Sequence, residues 1–290
     1  MKRRLKILFL CLLCCLPLRG LDRDRQADLR EEIAFLCDSL QAGRGIGTVG
    51  AHRTTFYLLG QLRNAGLNAF VQSFRQDGCI GRNIIAITPG FYAQYIVVSA
   101  YYDGLGILDG TSYPGADANA SGVAALLALA RELTPVCTGL TGLIFVAFDG
   151  HNTGLSGSRA FLERYRGSYP IRQLVNLDIL GSTLAPVVKT SPEHLIVLGG
   201  SGERFSLDSA NRDIRLHLTY DYYGSDSFTE LFYRRISDQS WFLQAGIPAV
   251  MFTSGITLNT NKQTDTPDTI DYPVLDKRIQ VIFNWLRRRL

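Results

Sequence analysis

Four side chains able to bind a metal or move a proton sit near Gly-rich turns: Asp103, Asp117, His151 and Asp178. A catalytic zinc takes three protein donors and a water, with nitrogen and oxygen donors at ~2.0–2.2 Å. His151 and Asp178, joined by Asp103 or Asp117, would be the minimum set for one such ion. His151 could also serve as a base, because an imidazole titrates near neutrality. Histidine is scarce, four in 290 residues. His52 reads as a surface or capping residue, and His194 and His217 stand in plain strand-like contexts and read as structural.

These residues follow apolar runs that would have to carry them. YIVVSAYYDG, from Tyr95, is a β-branched stretch ending in aromatics and a carboxylate, as in a buried strand that delivers side chains to a sheet edge. GADANASG, Gly115 to Gly122, opens an apolar helical run from Val123 to Leu133, with Asn119 or Ser121 as the expected N-cap. TGLIFVAFDG is a second buried strand, and it runs into HNTGLSGSRAF, a turn leading to a helix. Strand ends facing helix starts are where open α/β sheets build their sites.

The remaining pattern is consistent with such a sheet. Asp22 to Leu40 has helical spacing, AGRGIGTVG (Ala42 to Gly50) is a Gly-rich loop, and Thr54 to Ala65 is a second helix stopped by Gly66. No strand precedes that loop, so it does not qualify as a phosphate cradle. Strands are expected over 68–74, 82–88, 174–180, 195–198 and 249–253, and helices over 155–165, 203–211 and 273–290. No repeat or low-complexity linker divides the chain, which predicts one α/β domain over 22–290 with helices on both faces of a mixed, mostly parallel sheet.

The order of these motifs resembles the di-zinc aminopeptidase family, which includes aminopeptidase S-type exopeptidases and glutaminyl cyclases. AGRGIGTVG, GADANASG, the FDG that precedes His151, NLDILG (Asn176 to Gly181), SDQSWF (Ser237 to Phe242), AGIPAV (Ala245 to Val250) and TDTPDTIDY (Thr264 to Tyr272) follow one another as the family's do. The resemblance implies a three-layer α/β/α sandwich with about eight strands. It also implies where the family's two zinc ions and general base would be held. The first His falls on Tyr101, the bridging Asp on Ala118, the base Glu on His151, the ligand Glu on Asn152, the second Asp on Asp178 and the last His on Asn261. Only Asp178 keeps the family residue. Asp238 stays in its family place, and the family's neighbouring His is Gln239.

That donor set is a poor one for zinc. Ala118 has no donor atom, Asn152 and Asn261 offer neutral amides, and Tyr101 would have to ionise a phenol of pKa about 10. Two divalent ions held by a single carboxylate would leave charge uncompensated in a partly buried cleft, at a cost of several kcal/mol per ion. No zinc, and no other cofactor, is therefore expected. The tyrosines Tyr102, Tyr113, Tyr222 and Tyr223, with Gln239, are candidates to line the cleft.

Composition sets the outer limits. The chain is 46% hydrophobic and 19% charged, a globular balance rather than a disordered one. Five of its 30 basic residues lie in the first 20, which hold no acid; the other 25 face 26 acidic residues, a net charge of −1 that excludes nucleic acid as a partner. MKRRLKILFLCLLCCLPLRG has a basic start and an apolar run too short for a bilayer span of ~20 residues, as in an export signal over 1–20. This predicts a periplasmic or extracellular protein with no transmembrane span in the mature chain. Cys14 or Cys15 is a candidate lipidation site. Cys37, Cys79 and Cys137 remain, an odd number that leaves their pairing open.

Three functions follow from these readings. The favoured one is a secreted, non-catalytic member of the fold, a binding or scaffold module holding peptide or glycan ends in the former cleft. The second is an aminopeptidase with an atypical single-metal site built from His151 and Asp178 with Asp103 or Asp117. The third is glutaminyl cyclase chemistry, which needs donors at the positions of Ala118 and Asn152.

Overall fold

The computed structural model describes residues 24–290, so the export signal and lipidation sites expected in the first 20 residues lie outside the described residues. Helices in chain order are α1 (Arg25–Cys37), α2 (Val49–Asn64), α3 (Ser121–Leu133), α4 (Ser156–Tyr165), α5 (Arg204–Asn211), α6 (Asp226–Arg234), α7 (Gln239–Gln244) and α8 (Tyr272–Arg287). Strands are β1 (Asn68–Gln76), β2 (Cys79–Ile87), β3 (Gln94–Tyr101), a two-residue hairpin of β4 (Ile107–Leu108) and β5 (Thr111–Ser112), then β6 (Thr141–Phe148), β7 (Ile171–Leu177), β8 (His194–Leu198), β9 (His217–Tyr220) and β10 (Ala249–Thr253). Eight strands form one sheet in the order β1-β2-β6-β3-β7-β10-β8-β9. Its centre, β6-β3-β7-β10, is parallel throughout; β1, β2 and β8 join antiparallel, and β9 is parallel to β8.

Alternation along the strands distributes the core. Ile96, Val98 and Ala100 of β3 point into the larger cluster, under α1, α2, α3 and α8, whereas Val97 and Tyr101 point to the other face, under α4 and α7. Because β3 and β6 are covered on both faces, every residue of β6 is buried, which is why TGLIFVAF shows no polar alternation.

Three local expectations needed correction. Helix α1 ends at Cys37 instead of Leu40 because Asp38 turns extended and its carboxylate accepts the Leu40 N–H, starting a separate 3-10 turn over Ser39–Arg44. Helix α2 begins at Val49, five residues before the expected Thr54, because the Thr48 hydroxyl caps Ala51 N. Gly50 there is a packing residue, since a Cβ would lie 1.9 Å from the Gln41 carbonyl oxygen. Finally, neither Asn119 nor Ser121 caps α3. A π-helical turn, Ala116–Ala120, leads directly into it, and both side chains are used elsewhere.

Candidate functional site

Because β6, β3 and β7 are adjacent and parallel, the residues that follow them converge at one edge of the sheet. Tyr101 closes β3 opposite Phe148 of β6, His151 follows three residues beyond Phe148, and Asp178 comes directly after β7. The chain leaves β7 through Ile179 in a left-handed conformation, φ 61°, uncommon for a β-branched residue. Hydrogen bonds hold this turn: Ile179 N donates to Asn119 Oδ1, and the Ile179 carbonyl accepts from Ser254.

At the centre, the His151 ring stacks on Tyr101, with centroids 3.6 Å apart and planes 12° from parallel. His151 Nδ1 lies 2.8 Å from Asp238 Oδ2. The two carboxylate oxygens of Asp103 accept the backbone N–H groups of His151 and Asn152, at 2.9 and 3.1 Å. The Asn152 amide donates to the same carboxylate at 3.2 Å. Asp178, 2% exposed, accepts from Ser237 Oγ at 2.5 Å. Ser237 accepts from Asn176, whose amide also reaches Gln239.

The electrostatics follow from this arrangement. Burial disfavours the His151 imidazolium, but the facing Asp238, with Asp178 and Asp103 behind it, outweighs burial and pushes its pKa up to about 9. The three surrounding carboxylates thus favour the protonated ring at neutral pH. Burial raises the Asp178 and Asp103 carboxyls, and His151 opposes that rise in both. Burial, reinforced by Asp178 and Asp103, holds the Tyr101 phenol well above its ordinary pKa, so it stays neutral.

A second group sits one turn away. Asp265 accepts the N–H groups of Asp117 and Ala118 at 2.7 and 3.0 Å, and its carbonyl accepts from Ala116. Asp117 turns away from His151: its Oδ1 accepts Gly181 N at 2.7 Å, and its Oδ2 is buried with no hydrogen-bond partner among the described residues. Burial, reinforced by Asp265, pushes the Asp117 carboxyl up to about 7. Asn119 bridges the strand ends by donating to the Leu177 and Tyr101 carbonyls. Gly122 allows this bridge, since a Cβ there would lie 2.4 Å from the Asn119 side chain. Fully buried Arg44 fastens the arriving loop by donating to the Tyr102, Pro114 and Gly115 carbonyls.

The candidates expected from the sequence therefore divide. Tyr101, His151, Asp103, Asn152 and Asp178 come together, whereas Asp117 belongs to the Asp265 clasp. Asn261 is exposed on its loop at φ 60°, and Ala118 presents no donor. Among the described residues no three His, Cys, Asp or Glu side chains are grouped so as to hold a metal ion. Within the four-residue set His151, Asp178, Asp103 and Asp117, the Asp103 oxygens accept two backbone N–H groups and the Asn152 amide, Asp117 Oδ1 accepts Gly181 N, and His151 Nδ1 lies against Asp238. The family's zinc ions do not fit the side chains at these positions.

Two cleft-lining candidates need correction. Tyr102 is 1% exposed, with its hydroxyl donating to the Arg82 carbonyl and lying 3.1 Å from Asp149. Gln239 is fully buried, donating to the Tyr233 carbonyl. Tyr223 is also largely buried against Phe228 and Phe232, though it borders an open hollow with Ile256. Tyr113 is half-buried, and Tyr222 is 40% exposed. The pairing of Asp238 with His151 was missed. The SDQSWF motif marked the position of Asp238, but 87 residues of chain separate it from its partner. The three cysteines among the described residues are free thiols: Cys79 is exposed, Cys137 buried and Cys37 between.

Comparison with known proteins agrees with this architecture. The profile of peptidase family M28 matches residues 83–286. A probable zinc metalloprotease of Pyrenophora teres f. teres is 30% identical over 141 residues, 48% of this chain and 30% of that protein, so the match spans under a third of the relative's length. A zinc aminopeptidase from Bacillus subtilis superposes with a TM-score of 0.73 at 15% identity, covering 91% of this chain and 95% of that one. A glutaminyl cyclase from Porphyromonas gingivalis gives 0.69 at 17% identity, covering 91% and 98%. At these identities the two structures establish the shared fold.

Proposed function

The chain belongs to peptidase family M28; from that membership and the chemistry of its donor positions, we propose that it is a metal-free, non-catalytic member that binds its ligand without cleaving it. One observation carries this reading. At the position the family's general base would hold, the chain carries His151, its ring stacked on Tyr101 and its Nδ1 2.8 Å from Asp238 Oδ2. Two zinc ions bring four positive charges, and the five ligand positions supply one carboxylate, Asp178. The other nearby carboxylates, Asp103 and Asp238, are already engaged by backbone N–H groups and by His151. A buried like-charged cluster left without its metal would repel itself. The protonated ring and the amide at Asn152 relieve that repulsion.

The ligand class we assign is a peptide or glycan end, met outside the cytoplasm after export directed by residues 1–20. Metal analysis after mild purification tests the first part. We expect well under one equivalent of zinc per chain; two equivalents contacting Asp178 would falsify the reading. Aminoacyl-anilide hydrolysis with added zinc or cobalt tests the second. We expect no turnover, and turnover abolished by His151→Ala would restore an enzyme.

A further inference from the structure

Beside the cleft the surface dips along Trp241 of α7. Two adjoining cavities of about 430 and 330 Å³ both touch Trp241 and Gln244. The first is flanked by Arg159 and Arg166, and the second carries Arg235 and ends at His151. Along this trough three guanidinium groups meet one carboxylate, Glu163, which lies 3.7 Å from Arg159. Arg166 and Arg235 make no ion pair among the described residues. The Arg159 guanidinium stands 5.8 Å from the Trp241 ring centroid. Trp241 Nε1 is buried with no hydrogen-bond partner among the described residues, so the ring meets the trough through its carbon surface.

Each feature suits the same kind of ligand. A guanidinium offers a planar fork that grips a carboxylate through two hydrogen bonds. An indole offers a broad apolar surface, as in an interface anchor. The walls between the arginines are aliphatic, with Leu162 in the first cavity and Leu155 and Ile236 in the second. These walls suit aliphatic side chains better than sugar hydroxyls. We propose that the Trp241 trough docks an acidic peptide segment, its carboxylates on Arg159, Arg166 and Arg235 and its aliphatic side chains on the walls between them. This deepens the binding-module reading above and rests on it for the idea that ligand is retained.

Fluorescence anisotropy of a labelled Glu-Leu-Glu-Leu-Glu peptide with the full chain tests the proposal, alongside a Lys-Leu-Lys-Leu-Lys peptide and an oligogalacturonate. The acidic peptide should bind at least about tenfold more tightly than the basic one, and binding should weaken as salt is raised. Arg166→Glu with Arg235→Glu, two exposed positions, should cost about tenfold or more with an unchanged melting temperature, whereas Arg172→Glu, exposed but outside the trough, should change nothing. Absence of binding, equal binding of the basic peptide, insensitivity to the double variant or preference for the oligogalacturonate would each overturn it. Finding two zinc equivalents would remove the non-catalytic reading and leave this peptide measurement untouched, so the two failures are separable.

Discussion

The loops that follow β3 and β6 meet at the same sheet edge, yet this chain treats them differently. After β3, the turn Ala116–Ala120 is held through its backbone: Asp265 takes two of its N–H groups, Asn119 joins it to two strand-end carbonyls, and Arg44 grips the residues before it. Those bonds do not depend on a metal, and they persist around Ala118, which carries no donor. After β6, the side chains themselves form the structure, with His151 between Tyr101 and Asp238 and Asn152 folded onto Asp103. A backbone clasp holds its shape whatever the side chains nearby do, but a buried group of ionisable side chains must balance its own charge.

The comparison can be broken most forcefully at the clasp. Asp265→Ala would strand two buried N–H groups, and we expect a loss of about 2–4 kcal/mol in urea unfolding. A loss under about 0.5 kcal/mol would mean that the backbone clasp is incidental.

Asp238→Ala probes the second loop. It removes the partner of His151, and about 1–3 kcal/mol should be lost at pH 7, with the imidazole midpoint, read by NMR, falling from about 9 toward its ordinary value. The folded pKa of His151 lies above the unfolded one, so the pairing stabilises fully below the unfolded pKa near 6.5 and its contribution disappears as pH rises through about 9. The variant and parent should therefore converge in alkaline solution.

The smallest effect is a gain. Asp117 has its folded pKa raised to about 7, so its ionisation opposes folding. That penalty is absent below the unfolded carboxylate range and complete once pH passes about 7. Asp117→Asn keeps an acceptor for Gly181 N and should stabilise the protein by about 1 kcal/mol at pH 8, with no benefit at pH 4. A melting curve showing equal gains at both pH values would contradict the ionisation penalty that burial and Asp265 impose on Asp117.

The sheet centre was readable because burial on both faces leaves a long apolar signature, and YIVVSAY and TGLIFVAF lie within one residue of their observed strands. The start of α2 was not readable, because Gly50 weakens a helix by propensity and only its contact with Gln41 explains its presence. In the site, the positions of Tyr101, His151 and Asp178 followed from motif order, but Tyr102 and Gln239 were assigned to a surface they do not reach. Neighbouring residues on a strand point to opposite faces, and a polar side chain buried with partners looks in sequence like one that is exposed.

By itself, the amino-acid sequence determined which side-chain donors are available: no fold can give the Ala118 side chain a lone pair or the Asn152 amide a charge. Tertiary structure alone decided which partners those side chains meet. The pairing of His151 with Asp238, the commitment of Asp103 to backbone, the turning of Asp117 toward Gly181 and the gathering of three arginines beside Trp241 all join residues distant in the chain. Donor chemistry is a property of a residue, whereas protonation and direction are properties of its surroundings.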